Sequence, residues 1–108
     1  MNKKISEIHA DICKTLGNSK RIEILNALGN RELSVSQLVA VLGIAPANVS
    51  QHLAVMRQKG ILTSQRNGNN IFYKISNPKV IKACSLMREV LLERFKEGGR
   101  IARRLSGK

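Results

Sequence analysis

The sequence contains few aromatic residues, and their scarcity excludes one common way of binding nucleic acid. Phe72, Tyr73 and Phe95 are the only aromatic side chains among 108 residues, and tryptophan is absent. Proteins that bind single-stranded DNA or RNA without sequence preference stack successive bases on aromatic side chains. A stacking platform of this kind is therefore not expected here.

Long apolar runs are also missing. The longest apolar stretch, LVAVLGIA, is far too short to span a bilayer. The N-terminus has no apolar signal region, because Glu7 and Asp11 interrupt it. We therefore expect a cytoplasmic protein without a membrane partner, in which the two cysteines, Cys13 and Cys84, are reduced thiols.

Acidic residues are absent from the middle of the chain. No Asp or Glu occurs from Leu33 to Arg88, a run of 56 residues, although the whole chain has 7 of them against 19 Lys and Arg. The formal net charge of +12 points to a polyanion, either nucleic acid or an anionic membrane surface. Because carboxylates repel phosphates, the acid-free segment is predicted to face that polyanion. The alternative is an ordinary soluble basic surface.

Two amphipathic helices are predicted at the start of the chain. Apolar residues spaced by three and four positions predict the first helix at about residues 4–16. Asn18 is expected to cap the second helix, and Gly29 to end it.

Two shorter helices follow, joined by a tight turn that contains Gly43. Ser34 and Gln37 form a capping box before an apolar run, which is typical of a helix N-terminus. The buried face of this third helix is predicted to consist of Leu38, Val41 and Leu42. The fourth helix begins at Pro46, since proline is favoured at the first helical position, and Gly60 ends it. Its buried stripe is predicted to consist of Val49, Leu53 and Met56.

After these helices the apolar period changes from that of a helix to that of strands. The segments ILTSQR and NIFYKIS flank NGNN, an Asn-Gly signal for a β-hairpin. Two short helices with a glycine turn and a following hairpin describe a winged helix-turn-helix. The predicted fold class is therefore mainly α with a two-stranded β-hairpin wing.

The last helix is predicted to begin at Asn77 and Pro78 and to end at Gly98 and Gly99. Its apolar stripe runs over four turns and consists of Val80, Cys84, Met87, Leu91 and Phe95. Residues 1–97 are accordingly predicted to form one domain for DNA binding and dimerisation, and residues 98–108 a basic, disordered tail. A chain of this length cannot bury both terminal stripes alone, so we expect a partner copy.

The second helix of such a motif enters the major groove, and its N-terminal residues reach base edges. A helical wheel directs Ala47 and Gln51 outward, with Asn48 and Ser50 on either flank. Gln and Asn can pair with adenine through two hydrogen bonds, and Gln51 is the strongest candidate for base readout. His52 lies nearer the buried side and is predicted to bond a phosphate or the domain's own backbone. The alternative for these polar residues is a solvated helix face.

The wing carries basic residues in positions that suit double-stranded DNA. Arg66 precedes the hairpin tip, where an arginine fits the negative potential of a narrow minor groove. Lys74 and Arg57 are candidates for phosphate contacts, which orient a protein on DNA without reading its sequence.

The chain resembles the ArsR/SmtB family of winged-helix bacterial transcription regulators over about residues 8–95. The resemblance depends on ICKTLGNSKRIEILNAL, ELSVSQLVAVLG, NVSQHLAVMRQKGIL and RNGNNIFYKIS in that order. It implies a homodimer held by the first and last helices, bound to an operator with twofold symmetry. It also implies repression that a signal relieves, without identifying that inducer.

Three departures from the family pattern concern metals and a helix cap. Many members carry Cys-Val-Cys where this chain has Ser34-Val35-Ser36, and serine hydroxyls are poor ligands for soft metals. Others bind zinc between their last helices, but here the last helix has Glu89 and Glu93 and no histidine. Neither familiar metal site is expected, and no cofactor is predicted. Ala45 replaces the usual hydroxyl N-cap of the recognition helix.

Rival functions are weaker on this sequence. No catalytic motif or glycine-rich phosphate loop is present, so an enzyme is not expected. A membrane-surface protein does not need a helix-turn-helix. Within DNA binding, a constitutive architectural protein without an inducer is the alternative to a signal-responsive repressor.

A sensor site is the least constrained prediction. Cys13 and Cys84 lie on the two helices that the dimer would bring together, and His9 precedes Cys13 by one helical turn. Three interpretations remain open: inert thiols, a Cys13–Cys84 redox pair, or a soft-metal site formed by His9, Cys13 and Cys84.

Overall fold

The structure, a computed structural model, describes residues 3–98, which form five α-helices and one three-stranded antiparallel sheet. In chain order the elements are α1 (Lys3–Leu16), α2 (Ser19–Leu28), β1 (Leu33–Ser34), α3 (Val35–Leu42), α4 (Pro46–Gln58), β2 (Leu62–Asn67), β3 (Asn70–Ile75) and α5 (Pro78–Gly98). All five predicted helices and both strands of the predicted hairpin are confirmed. The predicted tail lies outside the described residues, apart from Gly98.

Local sequence signals account for most of the helix ends. The side chain of Asn18 accepts hydrogen bonds from two backbone N–H groups at the start of α2. Ser34 and Gln37 form the predicted capping box on α3, and Gly43 ends that helix in the left-handed conformation at φ 68°. Ala45 caps α4 without a side-chain hydrogen bond, which costs about 1 kcal/mol relative to a hydroxyl or amide cap.

The sheet has one more strand than the sequence predicted. Strands β2 and β3 form the hairpin, and its last pair before the turn is Asn67 with Asn70. The additional strand β1 pairs with β3, so that the strand order is β1-β3-β2. Because β1 contains two residues, it is too short to show the alternation by which strands are recognised. The predicted two-stranded hairpin wing is confirmed, and β1 extends it to a three-stranded sheet.

The core lies between α2, α3, α4 and the sheet. Its buried apolar residues are Ile24, Leu25, Leu28, Leu33, Leu38, Val49, Leu53, Met56, Ile61, Leu62 and Ile75. One predicted member is wrong, because Val41 is 58% exposed. On a helical wheel the inward direction of α3 lies between Val35, Leu38 and Leu42, and Val41 falls about 100° from its centre.

The terminal helices keep their apolar side chains largely outside this core. On α1 and α5 the large apolar residues exposed to between 43% and 62% are Ile5, Ile8, Leu86, Met87, Val90, Leu91 and Leu92. The radius of gyration is 15.7 Å, whereas a compact domain of about this size has about 13 Å. Among residues 3–98 no single helix is long and apolar enough to cross a membrane, although the sharply bent pair α3 and α4 reaches those thresholds when the two are taken together.

Candidate nucleic-acid interface

The helix-turn-helix is built by α3 and α4, which meet at a bend of 117°. This angle lies within the range of about 90–120° that the motif shows in DNA-binding proteins. Val49, Leu53 and Met56 of α4 have no exposed surface. Because these three residues anchor α4 in the core, they determine which of its faces points to solvent.

The opposite face, near the N-terminus of α4, is polar and exposed. Ala47, Asn48, Ser50 and Gln51 are all exposed, as the helical wheel predicts. Within residues 3–98 the side chains of Asn48, Ser50 and Gln51 have no hydrogen-bond partner. Their donors and acceptors are therefore available to base edges in a major groove, which offer both.

His52 is placed differently from these neighbours. It is half-buried, and its Nδ1 accepts a hydrogen bond of 3.1 Å from Nε of Arg21 in α2. Burial first, and the positive charge of Arg21 second, lower the pKa of His52 below its ordinary value of 6.5. Because Nδ1 is the acceptor in this contact, the imidazole that forms it is neutral and carries its proton on Nε2. The intramolecular partner is a side chain and not the backbone that the sequence interpretation proposed.

Basic residues are also exposed on the wing and at the C-terminal end of α4. Arg66 is exposed near the end of β2, opposite Ile71, and Lys74 is exposed on β3, opposite Thr63. Arg57 is exposed as well, and its Nη1 donates to the hydroxyl of Ser64 at 3.3 Å. This contact links the C-terminal part of α4 to β2, so the recognition helix and the wing share one surface.

Two ion pairs are formed by lysine side chains within residues 3–98. The ion pair between Lys20 and Glu23 has an N–O distance of 3.7 Å, and that between Lys59 and Asp11 one of 2.8 Å. Both carboxylates belong to helices outside the acid-free segment. Lys59, at the C-terminal end of α4, is therefore paired with α1. Within residues 3–98 Arg57, Arg66 and Lys74 form no ion pair, so their charges are available to phosphates.

The two cysteines line one groove on another part of the molecule. Cys13 is exposed and Cys84 is half-buried, and both are free thiols. With His9 they line a mainly apolar groove of about 510 Å³ between α1, α2 and α5. Among residues 3–98, however, no group of three or more His, Cys, Asp or Glu side chains is placed to hold a metal ion. The described part of the single chain therefore does not assemble the soft-metal ligand set that was one of the three interpretations.

Arg21 is a structural residue that sequence reasoning missed. A signal was present, because Arg21 occupies the same helical stripe as Leu25 and Leu28, four and seven positions later. Its side chain is only partly exposed, and it bonds two other helices. A charged residue on an otherwise apolar stripe indicates a buried partner.

Comparison with known proteins places this architecture among bacterial regulators. Residues 18–64, which run from the cap of α2 into β2, match the family model described as bacterial regulatory protein, arsR family. The uncharacterised HTH-type transcriptional regulator Rv0081 of Mycobacterium tuberculosis is 35% identical over 86 residues, which cover 79% of this chain and 75% of that protein. The transcriptional repressor PagR of Bacillus anthracis is 36% identical over 85 residues, covering 78% of this chain and 85% of that protein.

Solved structures of the same two proteins share the fold. The crystal structure of Rv0081 has a TM-score of 0.78 at 31% identity, with 89% of this chain and 97% of that chain covered. The crystal structure of PagR has a TM-score of 0.72 at 36% identity, with 80% of this chain and 99% of that chain covered.

A third relative is named an activator. The transcriptional activator HlyU of Vibrio cholerae is 30% identical over 79 residues, which cover 73% of this chain and 73% of that protein.

Proposed function

The chain belongs to the ArsR family of bacterial regulatory proteins, and we propose that it is a sequence-specific transcriptional repressor that binds its operator as a homodimer. The observation that carries this proposal is the exposed polar face of α4, formed by Asn48, Ser50 and Gln51 and lying in an acid-free segment. Amide side chains on such a face can bond adenine at two positions, and small Ala47 lets the helix lie deep in the groove.

Dimerisation is supported by the exposed apolar faces of α1 and α5. Monomeric soluble proteins rarely expose several large apolar side chains side by side, because their burial is favourable. A twofold-symmetric dimer would bury the same patch of both copies and present two α4 helices to the DNA. Half-sites about 34–36 Å apart would then be read by the two helices.

Whether the protein represses or activates transcription is proposed from the names of its relatives. PagR and the biofilm growth-associated repressor of Xylella fastidiosa carry repressor in their names, whereas HlyU is named an activator. We propose repression by occupancy of the operator, in the cytoplasm where that DNA lies. A reporter gene behind the operator tests the sign, since deletion of the regulator should raise expression, and a fall would indicate activation.

Footprinting on the DNA upstream of its own gene tests sequence-specific binding. Gln51→Ala should weaken operator binding by about 1–3 kcal/mol while leaving binding to random DNA nearly unchanged. The matched control is Gln58→Ala, because Gln58 is also an exposed glutamine of α4 but lies at its C-terminal end. Equal losses on both DNAs would show that Gln51 does not read bases. Uniform protection without a preferred site would favour the architectural alternative.

We further propose that the groove between α1 and α5 makes the regulator responsive to thiol oxidants. Support comes from the position of Cys13 and Cys84 in one groove beside the exposed apolar faces of these helices. Formation of a disulfide between the two thiols releases two protons and transfers two electrons to an oxidant such as diamide. The bond requires Cα atoms within about 7 Å and would alter how the helices pack in the dimer.

The response is tested by operator affinity before and after diamide treatment. Wild-type protein should change its affinity and recover it on addition of dithiothreitol. Cys13→Ser and Cys84→Ser should each abolish the response without changing the affinity of the reduced protein. An unaltered affinity of oxidised wild type would leave both thiols without a sensing role.

A further inference from the structure

Arg21 contacts two helices besides its own. Its Nη1 donates to the backbone carbonyl of Thr15 at 3.0 Å, and its Nε donates to Nδ1 of His52 at 3.1 Å. Thr15 lies in the last turn of α1, and His52 in the middle of the recognition helix α4. One side chain on α2 therefore bridges the proposed dimerisation helix and the proposed recognition helix.

The α1 side of this bridge satisfies a group that the helix itself leaves without a partner. The last four carbonyls of an α-helix have no intrahelical donor, and the carbonyl of Thr15 is one of them. A cationic donor at this end is also favoured by the helix dipole. Thr15 is buried, so its carbonyl is held in place.

The α4 side depends on the state of His52. Its Nδ1 can accept a hydrogen bond only when the imidazole is neutral. Guanidinium groups hold several donors in one rigid plane, which lets a single arginine bond both partners at the same time. A lysine at this position would offer one flexible ammonium group and could serve one partner or the other.

We propose that Arg21 is a positioning residue that couples α1 to α4 and thereby sets the spacing of the two recognition helices in the dimer. The inference rests on the proposed function, since it needs α1 in the dimer interface and α4 on the DNA. A rotation of α4 relative to α1 would move the recognition helices of both copies relative to the twofold axis of the dimer. Arg21 restrains that rotation because its guanidinium group is hydrogen-bonded to α1 and to α4 at the same time.

A second contact between α1 and the end of α4 does not supply the same restraint. Asp11 and Lys59 form an ion pair at 2.8 Å, but their side chains are 49% and 37% exposed. Exposed ion pairs of flexible side chains contribute little, because water and salt screen them. The partly buried Arg21 bridge is therefore the stronger of the two connections.

The experiment compares operators whose half-sites have the original spacing or one additional base pair. One base pair turns the second half-site by about 34–36° and moves it by about 3.4 Å. Wild type should bind the longer operator at least about tenfold more weakly, because a rigid dimer cannot follow this change. Arg21→Lys should reduce that ratio to less than about threefold, with weaker binding to the original operator.

Arg31→Lys is the matched control. Arg31 follows α2, and its Nε donates to the carbonyl of Ala27 at 3.1 Å, so it bonds the end of a helix as Arg21 does but does not join two helices. This variant should keep the wild-type ratio. His52→Asn retains an acceptor near the position of Nδ1 and should keep the ratio, whereas His52→Leu should lower it as Arg21→Lys does. Unfolding curves of all variants exclude those that do not fold.

The outcomes separate this inference from the proposed function. Wild type without a specific operator would overturn the proposed function itself. Wild type that discriminates the two spacings, with an Arg21→Lys variant that discriminates them equally well, would overturn only the coupling. If Arg21→Lys does not fold, the two His52 variants decide, and equal ratios for both of them would overturn the coupling.

Discussion

The segment from α2 to β3 and the terminal helices differ in how completely they bury their own apolar side chains. In the central segment Ile24, Leu38 and Leu53 have no exposed surface. In α1 and α5, by contrast, Ile8 is 56% exposed and Met87 62% exposed. The same binary pattern of apolar and polar residues thus has two outcomes: the centre buries its apolar side chains within one chain, and the ends leave theirs exposed for the second copy that we propose.

The charge distribution divides the chain at different residues, because Glu23 and Glu32 lie in the central segment and the first half of α5 has no acid. All seven acidic residues lie outside the segment from Leu33 to Arg88. The acid-free segment contains α3, α4 and the wing, the part that we propose to face DNA, whereas Glu89, Glu93 and Glu97 lie on α5. Under the proposed function, α4 and the wing supply a surface for a polyanion, and α1 and α5 supply a surface for a second copy.

The largest effect should come from a charge placed on the α5 face. Leu91 is 43% exposed in the single chain, and Leu91→Asp would bury an unpaired carboxylate in the proposed dimer. The dimer dissociation constant should rise at least about 100-fold, and operator binding should fall with it. Sedimentation velocity measures the association.

Val41→Asp is the control for this comparison. Val41 is 58% exposed, but it lies on α3 in the central segment. The variant should sediment as wild type does, because an exposed apolar residue outside the terminal helices has no role in association. A stable dimer of Leu91→Asp would show that the interface lies elsewhere, and that the exposed apolar side chains of α5 do not serve dimerisation.

A core truncation should have the next largest effect. Leu53 is fully buried, and Leu53→Ala should lower the free energy of unfolding by about 2–5 kcal/mol through lost burial and a cavity. The same loss is expected in the monomeric Leu91→Asp background, because the two residues belong to separate apolar clusters. Urea unfolding measures the loss in both backgrounds. A loss below about 1 kcal/mol in either of them would show that the central segment does not hold a stable core of its own.

The parts of this fold that sequence could predict are those with local signals. Asn18, the Ser34–Gln37 capping box and Gly43 act within one turn of helix, so helix ends follow from neighbouring residues. Strand β1 could not be predicted, because its two residues are stabilised by pairing with Phe72 and Tyr73 far along the chain.

The same reasoning applies to the candidate site. The exposure of Gln51 follows from the helical period, and the structure confirms it. The stripe position of Arg21 indicates a buried partner, but the bond to His52 joins residues 31 positions apart, so no local pattern identifies that partner. The roles of these residues toward DNA stay predictions, since they depend on a partner outside the chain.

A smaller effect is expected from the wing. Arg66→Ala should weaken binding to all DNA sequences and reduce the slope of log affinity against log salt by about one. Lys96→Ala is the matched control, because Lys96 is an exposed cation in the last turn of α5. Its slope should equal that of wild type. If both variants lose the same amount, the phosphate contacts are not confined to the central segment.

The smallest effect concerns His52, which lies where the two regions are connected through Arg21. Its native pKa is below the ordinary value of 6.5, chiefly because of burial and then because of Arg21. Below about pH 6.5 the unfolded chain therefore binds more protons at this residue than the native chain does. The contribution of His52 to stability is present in full above that pH and is lost as pH falls toward the native pKa.

Urea unfolding between about pH 5 and 8 should show this loss in wild type, and His52→Asn should lack it because its amide does not titrate. Parallel curves for the two proteins would show that His52 titrates alike in the folded and unfolded chains. That result would rule out a neutral His52 as the acceptor of the Arg21 hydrogen bond in the native chain.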